Sequence, residues 1–333
     1  MKTQISVVIP TSGRSSTLPK AVKSLFIQSF SKAGYEIIVV YSKTDKEVLK
    51  RLARQSPVRF RFFEEKEVCI LGAAASRNYG VSIAKGELIA FIDDDCIARK
   101  EWLQKGWKYY QKHKDYVGFM GTTVTDLKKV TVTSRYMNIT KPEKVPTCPT
   151  CNVFFRKDIF LKHKYPVYKR YAGISHRADT DLAFTLIEKG YKIGFSDATV
   201  YHPVYPAPSM KWFIKQGMYR EVEPLFYKRH PKLYWKGGLY FVSRLTMLNW
   251  AVLVLTLVSL SSKINPLYCL AFFVTAEIGL SIFSTKKRGF SIMKSDTIRF
   301  MVAMPFRAIV EFIYILKGII IHWIFERNSR GVR

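Results

Sequence analysis

The stretch "GELIAFIDDDC", residues 86–96, joins an apolar run to three consecutive aspartates. The apolar run is typical of a buried strand, yet it ends in Asp93, Asp94 and Asp95, although the chain carries a formal net charge of +29. Adjacent carboxylates repel one another unless a cation or basic groups lie beside them. Mg²⁺ and Mn²⁺ prefer oxygen ligands and bind a diphosphate beside a carboxylate. The stretch therefore indicates either a metal–diphosphate site or a solvent-exposed acidic turn.

Strand and helix patterns alternate before these aspartates. The predicted strands are residues 5–10, 36–42, 58–64 and 87–93, and the predicted helices are residues 17–30, 45–55 and 72–86. This alternation predicts a parallel sheet covered by helices, in which ligands bind at the carboxyl ends of the strands. We therefore expect Pro10–Thr11, Tyr41–Ser42 and Asp93–Asp95 to lie along one edge of the sheet.

The second half of the same domain has a more mixed pattern. The sequence predicts strands at residues 116–125, 151–155 and 193–202 and a helix at 179–189. The fold class that follows is α/β, with a mixed and mostly parallel sheet of Rossmann-like type.

The C-terminal third is strongly apolar. Residues 245–260 are uncharged and residues 264–284 carry one charge, Glu277, so each segment with its flank approaches the roughly 20 residues that span a bilayer. Basic residues flank both outer ends, which predicts a hairpin with its ends in the cytoplasm. Residues 298–325 could form a third span, but their charges favour an amphipathic helix in the interface. The alternative is a buried helical subdomain of a soluble protein.

Residues 209–236 mix basic and aromatic side chains and precede the first apolar segment. Such a mixture binds single-stranded nucleic acid in some proteins and anionic membrane surfaces in others. Next to apolar segments we favour the membrane interpretation and expect no nucleic-acid partner. The predicted domains are a catalytic-type domain (1–207), basic and aromatic interfacial helices (208–244), a transmembrane hairpin (245–284) and a membrane-associated helix with a basic tail (285–333).

Six segments, in this order, resemble family 2 glycosyltransferases of the GT-A fold. They are "SVVIPTSGR", "EIIVV", "AAASRNYGVSIAKGELIAFIDDDC", "CNVFFRKDIF", "RADTDLAFTLIEKGYKIGFS" and "VYH", and they span roughly residues 5–202. The third is the most specific, because it joins Arg-Asn-x-Gly and Ala-x-Gly to a strand that ends in Asp-x-Asp. The resemblance implies an inverting transfer from a nucleotide sugar, with Mg²⁺ or Mn²⁺ as the cofactor.

The resemblance also implies a donor site at the strand ends. Asp93 would face the ribose and base, while Asp95 would ligate the metal ion that bridges the diphosphate. His202 would lie beside the metal ion, although a structural histidine is the alternative. The residues expected to bind the donor are Pro10, Thr11, Arg14, Tyr41, Arg77, Asp93 and Asp94, and the expected metal ligands are Asp95 and His202.

On the acceptor side, "ADTDL" matches the family's "EDxDL". Asp179 would be the general base that takes the proton of an acceptor hydroxyl, and Cys151, Asn152 and Asp181 would contact the acceptor. A second interpretation is that Asp179 and Asp181 are favourable charges at a helix N-terminus. A lipid phosphate acceptor would already be ionised and would need no base.

The sequence departs from the family pattern at three places. Tyr41 and Ser42 stand where the family commonly has an aspartate that pairs with uracil, so Tyr41 would stack on a base of unknown identity. Ala178 replaces the glutamate of "EDxDL", which removes one possible acceptor contact. The Gln-x-x-Arg-Trp motif of processive synthases is missing, because "QGMYR" has no tryptophan, which favours a single addition.

The leading hypothesis is therefore an integral membrane glycosyltransferase with a cytoplasmic catalytic domain. It would move a sugar from a nucleotide sugar, such as a UDP-sugar, to a lipid-linked polyprenyl acceptor. One alternative is a polyprenyl-phosphate sugar synthase. A second, from another class, is a non-catalytic membrane adaptor that binds only nucleotide or glycan.

Overall fold

The structure is a computed structural model that describes residues 2–12, 16–42, 46–134, 140, 142, 145–168, 176–205, 207–237, 244–261, 264–287 and 295–325. The chain forms two compact units. The first consists of Met1–Thr125 and Asn138–Pro203, and the second of Asp126–Met137 and Val204–Arg333. This division differs from the predicted domains in grouping Asp126–Met137 with the C-terminal segments.

One eight-stranded mixed sheet forms the centre of the first unit, as the sequence predicts. Its strands are β1 (Ile5–Thr11), β2 (Tyr35–Tyr41), β3 (Arg59–Glu64), β4 (Leu88–Phe91), β5 (Ile97–Ala98), β6 (Tyr116–Val124), β7 (Val153–Arg156) and β8 (Lys192–Tyr201). Their order is β3-β2-β1-β4-β7-β6-β8-β5. Strands β3, β2, β1 and β4 are parallel to one another. Strand β7 is antiparallel to both β4 and β6, and β6 is parallel to β8.

Helices cover both faces of this sheet. They are α1 (Leu18–Phe26), α2 (Lys46–Gln55), α3 (Lys66–Ile70), α4 (Ala73–Ser82), α5 (Trp102–Lys112), α6 (Lys157–His163) and α7 (Ala178–Glu188), with a short 3-10 helix at Lys32–Gly34. Because successive side chains of a strand point to opposite faces, Ile5, Val7 and Ile9 of β1 pack with α1, α2 and α5. Val8 points to the other face, where a Cβ on Gly80 of α4 would lie 2.5 Å from its Cγ1.

The strand directions decide which residues meet at one edge of the sheet. The carboxyl ends of β1, β2, β4, β6 and β8 lie at the same edge, because these strands run in one direction. The antiparallel β7 begins at that edge, where Val153 pairs with Phe91. Asp93–Asp95, which follow β4, and His202, which follows β8, therefore lie at the same edge.

The second unit is helical in its described part. It contains a 3-10 helix (Leu127–Lys129), α8 (Met210–Lys215), a 3-10 helix (Gln216–Val222), α9 (Glu223–Arg229), α10 (Pro231–Lys236), α11 (Arg244–Leu260), α12 (Pro266–Lys287) and α13 (Ser295–Ile319), which continues as a π-helix (Ile320–Phe325). Within this unit, Glu311 of α13 accepts hydrogen bonds from Arg307 (2.9 Å) and Thr246 of α11 (2.8 Å).

The apolar helices leave many large side chains exposed within the described residues. In α12 the 18-residue stretch Pro266–Phe283 has a mean hydropathy of 1.7 and the length and composition to cross a bilayer, and 17% of it is buried. The apolar stretch of α11, Leu245–Leu260, is shorter. The predicted hairpin thus corresponds to two helices, of which one meets the length for a membrane span.

Candidate active site

A short strand brings the aspartate stretch to the end of β8. In the sheet, β7 and β6 lie between β4 and β8, but β5, which follows the aspartates, pairs antiparallel with β8, with Ile97 opposite Tyr201. This register sets Cys96 opposite His202 and places Asp95 beside the histidine. The two-residue strand β5 is therefore what assembles the site.

Asp93 faces the basic residue that was expected beside the donor phosphates. The Arg77 guanidinium donates to its Oδ1 at 2.5 Å, and the Arg77 side chain is 6% exposed against 26% for Asp93. Arg77 lies in α4, on the face that packs toward the sheet. The pair gives Asp93 a basic neighbour and leaves part of the carboxylate accessible to a ligand.

Asp95 and His202 are both buried and face each other. The His202 Nε2 lies 3.9 Å from Asp95 Oδ1, and each side chain is 4% exposed. The His202 Nδ1 lies 2.7 Å from the Pro203 carbonyl oxygen. Because a carbonyl oxygen only accepts, Nδ1 carries a proton, and Nε2 is the ring atom that faces Asp95.

The donor set fits a hard divalent cation. One ligand atom from each of Asp93, Asp95, Cys96 and His202 can lie within 4.8 Å of the others. Burial raises the pKa of the Cys96 thiol well above its ordinary value, with smaller contributions from Cys151, Asp93 and Asp95. The thiol therefore stays protonated, and the remaining carboxylate and imidazole ligands suit Mg²⁺ or Mn²⁺.

The first loop residues have structural partners. Thr11 donates from Oγ1 to Asp94 Oδ2 at 2.6 Å, and both residues are buried. Pro10 is buried within β1. Asp94 is thus bonded to the end of β1, while Asp93 on one side pairs with Arg77 and Asp95 on the other lies beside His202. Arg14, also predicted to bind the donor, lies outside the described residues.

Asp179 lies in the first turn of α7. Arg177, just before this helix, has left-handed backbone angles (φ 64°), which a residue with a side chain rarely adopts. Asp179 accepts hydrogen bonds from the Thr180 backbone N–H (2.7 Å) and hydroxyl (3.2 Å). Burial raises the pKa of Asp179 despite the opposing effects of Thr180, Arg177, Arg77 and His176. A carboxylate with a raised pKa is suited to accept a proton.

The three residues predicted to contact the acceptor are placed in the core. Asn152 is fully buried, donates to the Thr122 and Ala198 carbonyls (2.9 Å each) and accepts from Trp102 Nε1 (2.8 Å). Asp181 is 1% exposed and accepts from the Tyr168 hydroxyl. Cys151 is 2% exposed and lies near the Thr123 hydroxyl. Their expected contact with an acceptor stays an untested prediction.

Tyr41 lies at the end of β2, where it was expected, and its stacking on a base stays an untested prediction. Its ring is 2% exposed and packs in the core, with a ring-centroid distance of 6.2 Å to Phe62. Burial, followed by the charge and hydrogen bond of Glu64, raises the pKa of the Tyr41 hydroxyl. The ring as placed has little surface to offer a nucleotide base, because it lies on the face of β2 that packs with α1 and α2.

Two residues near the site have no counterpart in the sequence predictions. Cys96 belongs to the ligand cluster and could have been found, because it follows the aspartates directly. Tyr165 lies after α6, at a distance of more than 60 positions from the aspartates, and no motif marks it. Its ring lies against Phe91 at the end of β4, with a centroid distance of 5.4 Å.

The first unit has a fold of the GT-A type. The sequence model described as Glycosyl transferase family 2 matches residues 6–163. The first unit of this chain is therefore a family 2 glycosyltransferase domain.

Relatives and solved structures support this assignment. The chain is 29% identical over 106 residues to Glycosyltransferase AglE from Haloferax volcanii, covering 31% of this chain and 34% of that protein. It is 31% identical over 113 residues to Poly(ribitol-phosphate) beta-glucosyltransferase from Bacillus spizizenii, covering 33% of this chain and 18% of that protein. The chain thus spans about a third or less of the length of these relatives.

The fold is shared with a solved structure, the mannosyltransferase PcManGT from Pyrobaculum calidifontis in complex with GDP-Man and Mn²⁺. The two have a TM-score of 0.62 with 14% sequence identity, and the match covers 95% of this chain and 88% of the other. At this identity the similarity concerns the fold.

Proposed function

We propose that this chain transfers one sugar from a nucleotide sugar, with inversion, to a lipid-linked acceptor at the cytoplasmic face of a membrane. The observation that carries the proposal is the arrangement of Asp93, Asp95 and His202 at one sheet edge, with the cation-binding atoms within 4.8 Å. The GT-A fold and the family 2 match support the reaction class.

Each residue of the donor side has a role that its contacts support. Asp95 and His202 would hold the cation, with the His202 ring oriented by the Pro203 carbonyl. Asp93 and Arg77 would bind the nucleotide and its phosphates, and their mutual ion pair orients both before the donor arrives. When bound, Mg²⁺ or Mn²⁺ neutralises the charge that develops on the diphosphate as the sugar–phosphate bond breaks.

Asp179 would take the proton of the acceptor hydroxyl. The base in an inverting transfer lies on the face of the sugar opposite the leaving diphosphate, so the acceptor oxygen attacks from that side. The raised pKa of Asp179 supports this role, because it matches the carboxylate to a proton acceptor nearer neutral pH. The same observation favours a hydroxyl acceptor over a lipid phosphate, which would bring no proton to remove.

The C-terminal helices support a membrane-bound acceptor. The α12 side chains Leu267, Leu270 and Phe283 are exposed in this structure, and a bilayer is the solvent that would cover them. One relative's name specifies poly(ribitol-phosphate), a phosphate-containing polymer, as the substrate of that protein. For this chain we propose an anionic, lipid-linked acceptor, consistent with the excess of positive charge.

A donor screen tests the proposal. The detergent-solubilised full chain is incubated with UDP- and GDP-sugars, polyprenyl-linked acceptors and Mg²⁺ or Mn²⁺, and nucleoside diphosphate release is measured. We expect release with a subset of donors, dependent on an acceptor and abolished by chelation. Nuclear magnetic resonance of the product should show an inverted anomeric configuration. Full activity after complete chelation, or a retained configuration, would contradict the mechanism.

The variant Asp179→Asn separates the two acceptor classes. With a hydroxyl acceptor, loss of the base should lower kcat by about 10²–10⁴-fold. With a phosphate acceptor the loss should be mild, and the polyprenyl-phosphate sugar synthase would become the better assignment. Asp115→Asn is the matched control, because Asp115 is exposed and pairs only with Lys192 in the described contacts. A loss of turnover in Asp115→Asn would point to a general folding effect.

A further inference from the structure

Tyr165 is held rigidly beside the candidate site. Its backbone N–H donates to Asn78 Oδ1 (3.0 Å), and its carbonyl accepts from Asn78 Nδ2 (2.8 Å). Its ring packs against Phe91 and Phe160, with centroid distances of 5.4 and 5.1 Å. These contacts fix both the backbone and the ring, so the direction of the hydroxyl is fixed as well.

The Tyr165 hydroxyl is buried and has no hydrogen-bond partner among the residues that the structure describes. The residue is 2% exposed. A buried hydroxyl without a partner costs free energy, so such a group is uncommon unless a ligand supplies the partner. Burial raises the pKa of Tyr165 well above its usual value, so the hydroxyl keeps its proton and acts as a donor.

The surroundings of this hydroxyl belong to both sides of the site. Besides burial, the charges that affect the pKa of Tyr165 are those of Arg77, Cys148, Asp179 and Asp93, which belong to the proposed donor and acceptor sides and to the neighbouring core. Arg77 contributes a second buried group without a partner, its Nε, although its Nη2 is paired with Asp93. Tyr165 and Arg77 therefore each contribute one buried donor without a hydrogen-bond partner in the described chain.

We propose that the Tyr165 hydroxyl donates a hydrogen bond to a hydroxyl group of the sugar that is transferred. This inference rests on the proposed function, because in that reaction the sugar lies between the diphosphate and the base. The bond would orient the ring for attack at the anomeric carbon and would contribute to selection of the sugar.

The test is the variant Tyr165→Phe, which removes the hydroxyl and keeps the ring. With the nucleotide sugar that supports turnover, kcat/KM for the donor should fall about five- to tenfold, as for loss of one neutral hydrogen bond. Calorimetric affinity for the same nucleotide sugar should fall by a similar factor. Affinity for the corresponding nucleoside diphosphate, which lacks the sugar, should change less than about twofold.

Tyr35→Phe is the matched control. Tyr35 is also buried, but its hydroxyl donates to the Leu25 carbonyl at 2.6 Å, within the core. Its loss should lower the Tm by about 2–4 °C and leave donor selectivity unchanged. Tyr165→Phe should show the reverse pattern, with an unaltered or higher Tm and a lower affinity for the nucleotide sugar.

Three outcomes would overturn the inference. A lower Tm in Tyr165→Phe would mean that the hydroxyl already has a partner within the protein. Equal loss of affinity for the nucleoside diphosphate and the nucleotide sugar would place its effect on the phosphates. An unchanged affinity for the donor together with a raised KM for the acceptor would mean that the hydroxyl contacts the acceptor. A wild-type chain that turns over no donor would instead refute the proposed function, while the binding and Tm measurements would still decide the role of Tyr165.

Discussion

Three neighbouring aspartates have three different environments. Asp93 is partly exposed and paired with Arg77, Asp94 is buried against the Thr11 hydroxyl, and Asp95 is buried near His202. Repulsion among them is reduced because each carboxylate points to a different partner. The motif therefore contains one acid bonded to the end of β1, Asp94, between one paired with Arg77 and one beside His202, and donor binding by Asp94 stays a prediction.

This difference predicts opposite outcomes for two isosteric variants. Asp95→Asn should weaken Mn²⁺ binding in the presence of a nucleoside diphosphate by at least about tenfold, since it removes a charged ligand. Asp94→Asn should keep Mn²⁺ affinity within about twofold, because an amide oxygen can still accept from Thr11. Titration followed by electron paramagnetic resonance measures both. Equal losses in the two variants would show that Asp94, too, serves the cation.

The pH dependence of turnover should report Asp179. The base must be ionised to accept a proton, and burial raises the pKa of Asp179 above its ordinary value of 3.8. We therefore expect kcat/KM to fall as the pH is lowered, with a midpoint above 3.8. The stability effect has the opposite sign: because the folded state disfavours the charged form, this contribution to stability is present at low pH and is lost as the pH rises through the raised pKa.

A pH–rate profile of the wild-type chain, together with thermal unfolding of Asp179→Asn, checks this assignment. Removing the charge should leave the Tm at pH 7 unchanged or higher, although it removes activity. An acid limb that stays within the usual aspartate range, or a marked drop of Tm in the variant, would argue against a buried base.

The sequence identified the residue types of the site better than their roles. The hydrophobic pattern of the strands predicted that Asp93–Asp95 lie at a strand end, and the family resemblance placed His202 beside them. Neither predicted that Asn152 would fill its hydrogen bonds within the core, or that the Tyr41 ring would pack inward. Those outcomes depend on which face a residue takes and on partners far away in the chain. Tyr165 could not be predicted for the same reason.

The local hydrophobic pattern predicted where the strands lie in the sequence better than it predicted whether neighbouring strands run parallel or antiparallel. The predicted strands 5–10, 36–42 and 87–93 appear as β1, β2 and β4 with parallel neighbours. The antiparallel insertion of β7 between β4 and β6 has no periodic signal, since an apolar strand reads the same in both directions. The two-residue β5, which assembles the ligand cluster, is too short to give any pattern.

One buried carboxylate, that of Glu36, links strands β1, β2 and β3, and its loss should destabilise the folded sheet. Glu36 is fully buried in β2 and accepts from Ser6 (2.7 Å) of β1, from the Lys85 backbone N–H (2.7 Å) and from Arg61 (2.8 Å) of β3. Glu36→Ala should lower the free energy of unfolding by about 3–5 kcal/mol, because the partners keep their desolvation cost without compensation.

Urea unfolding of Glu36→Ala measures this cost. The control is Glu47→Ala, where an exposed glutamate pairs with Lys50 on the surface of α2, and the expected change is below about 0.5 kcal/mol. A loss in Glu36→Ala no larger than in the control would mean that the buried hydrogen bonds contribute little net stability.

Arg307 and Lys317 of α13 form ion pairs within the second unit. Glu277 of α12 is not the partner of either residue: Arg307 binds Glu311, and Lys317 binds Glu221 of the 3-10 helix at 2.8 Å. Within the described residues the Glu277 carboxylate has no hydrogen-bond partner. The charges of α13 are thus used to attach it to its neighbours, which the charge count alone could not show.

The chain combines a GT-A domain with a second unit that contains apolar helices. A formal charge of +29 would favour attraction to anionic lipid, and exposed apolar side chains would favour insertion. Only insertion resists alkaline extraction, because high pH and ionic strength remove electrostatic binding. Extraction therefore separates the two modes of membrane association.

Membrane insertion through α12 can be tested with matched exposed positions. Leu270 and Val274 of α12 are 57% and 46% exposed, and Ile27 of the first unit is 63% exposed. Arginine costs about 2.5–3.5 kcal/mol per residue at the centre of a membrane helix and almost nothing on a wet surface. We therefore expect the wild-type chain and Ile27→Arg to remain with vesicles after carbonate treatment, whereas Leu270→Arg combined with Val274→Arg should be released. Release of the wild-type chain would mean that α12 packs against protein rather than lipid, and the acceptor would then have to reach the site from solution.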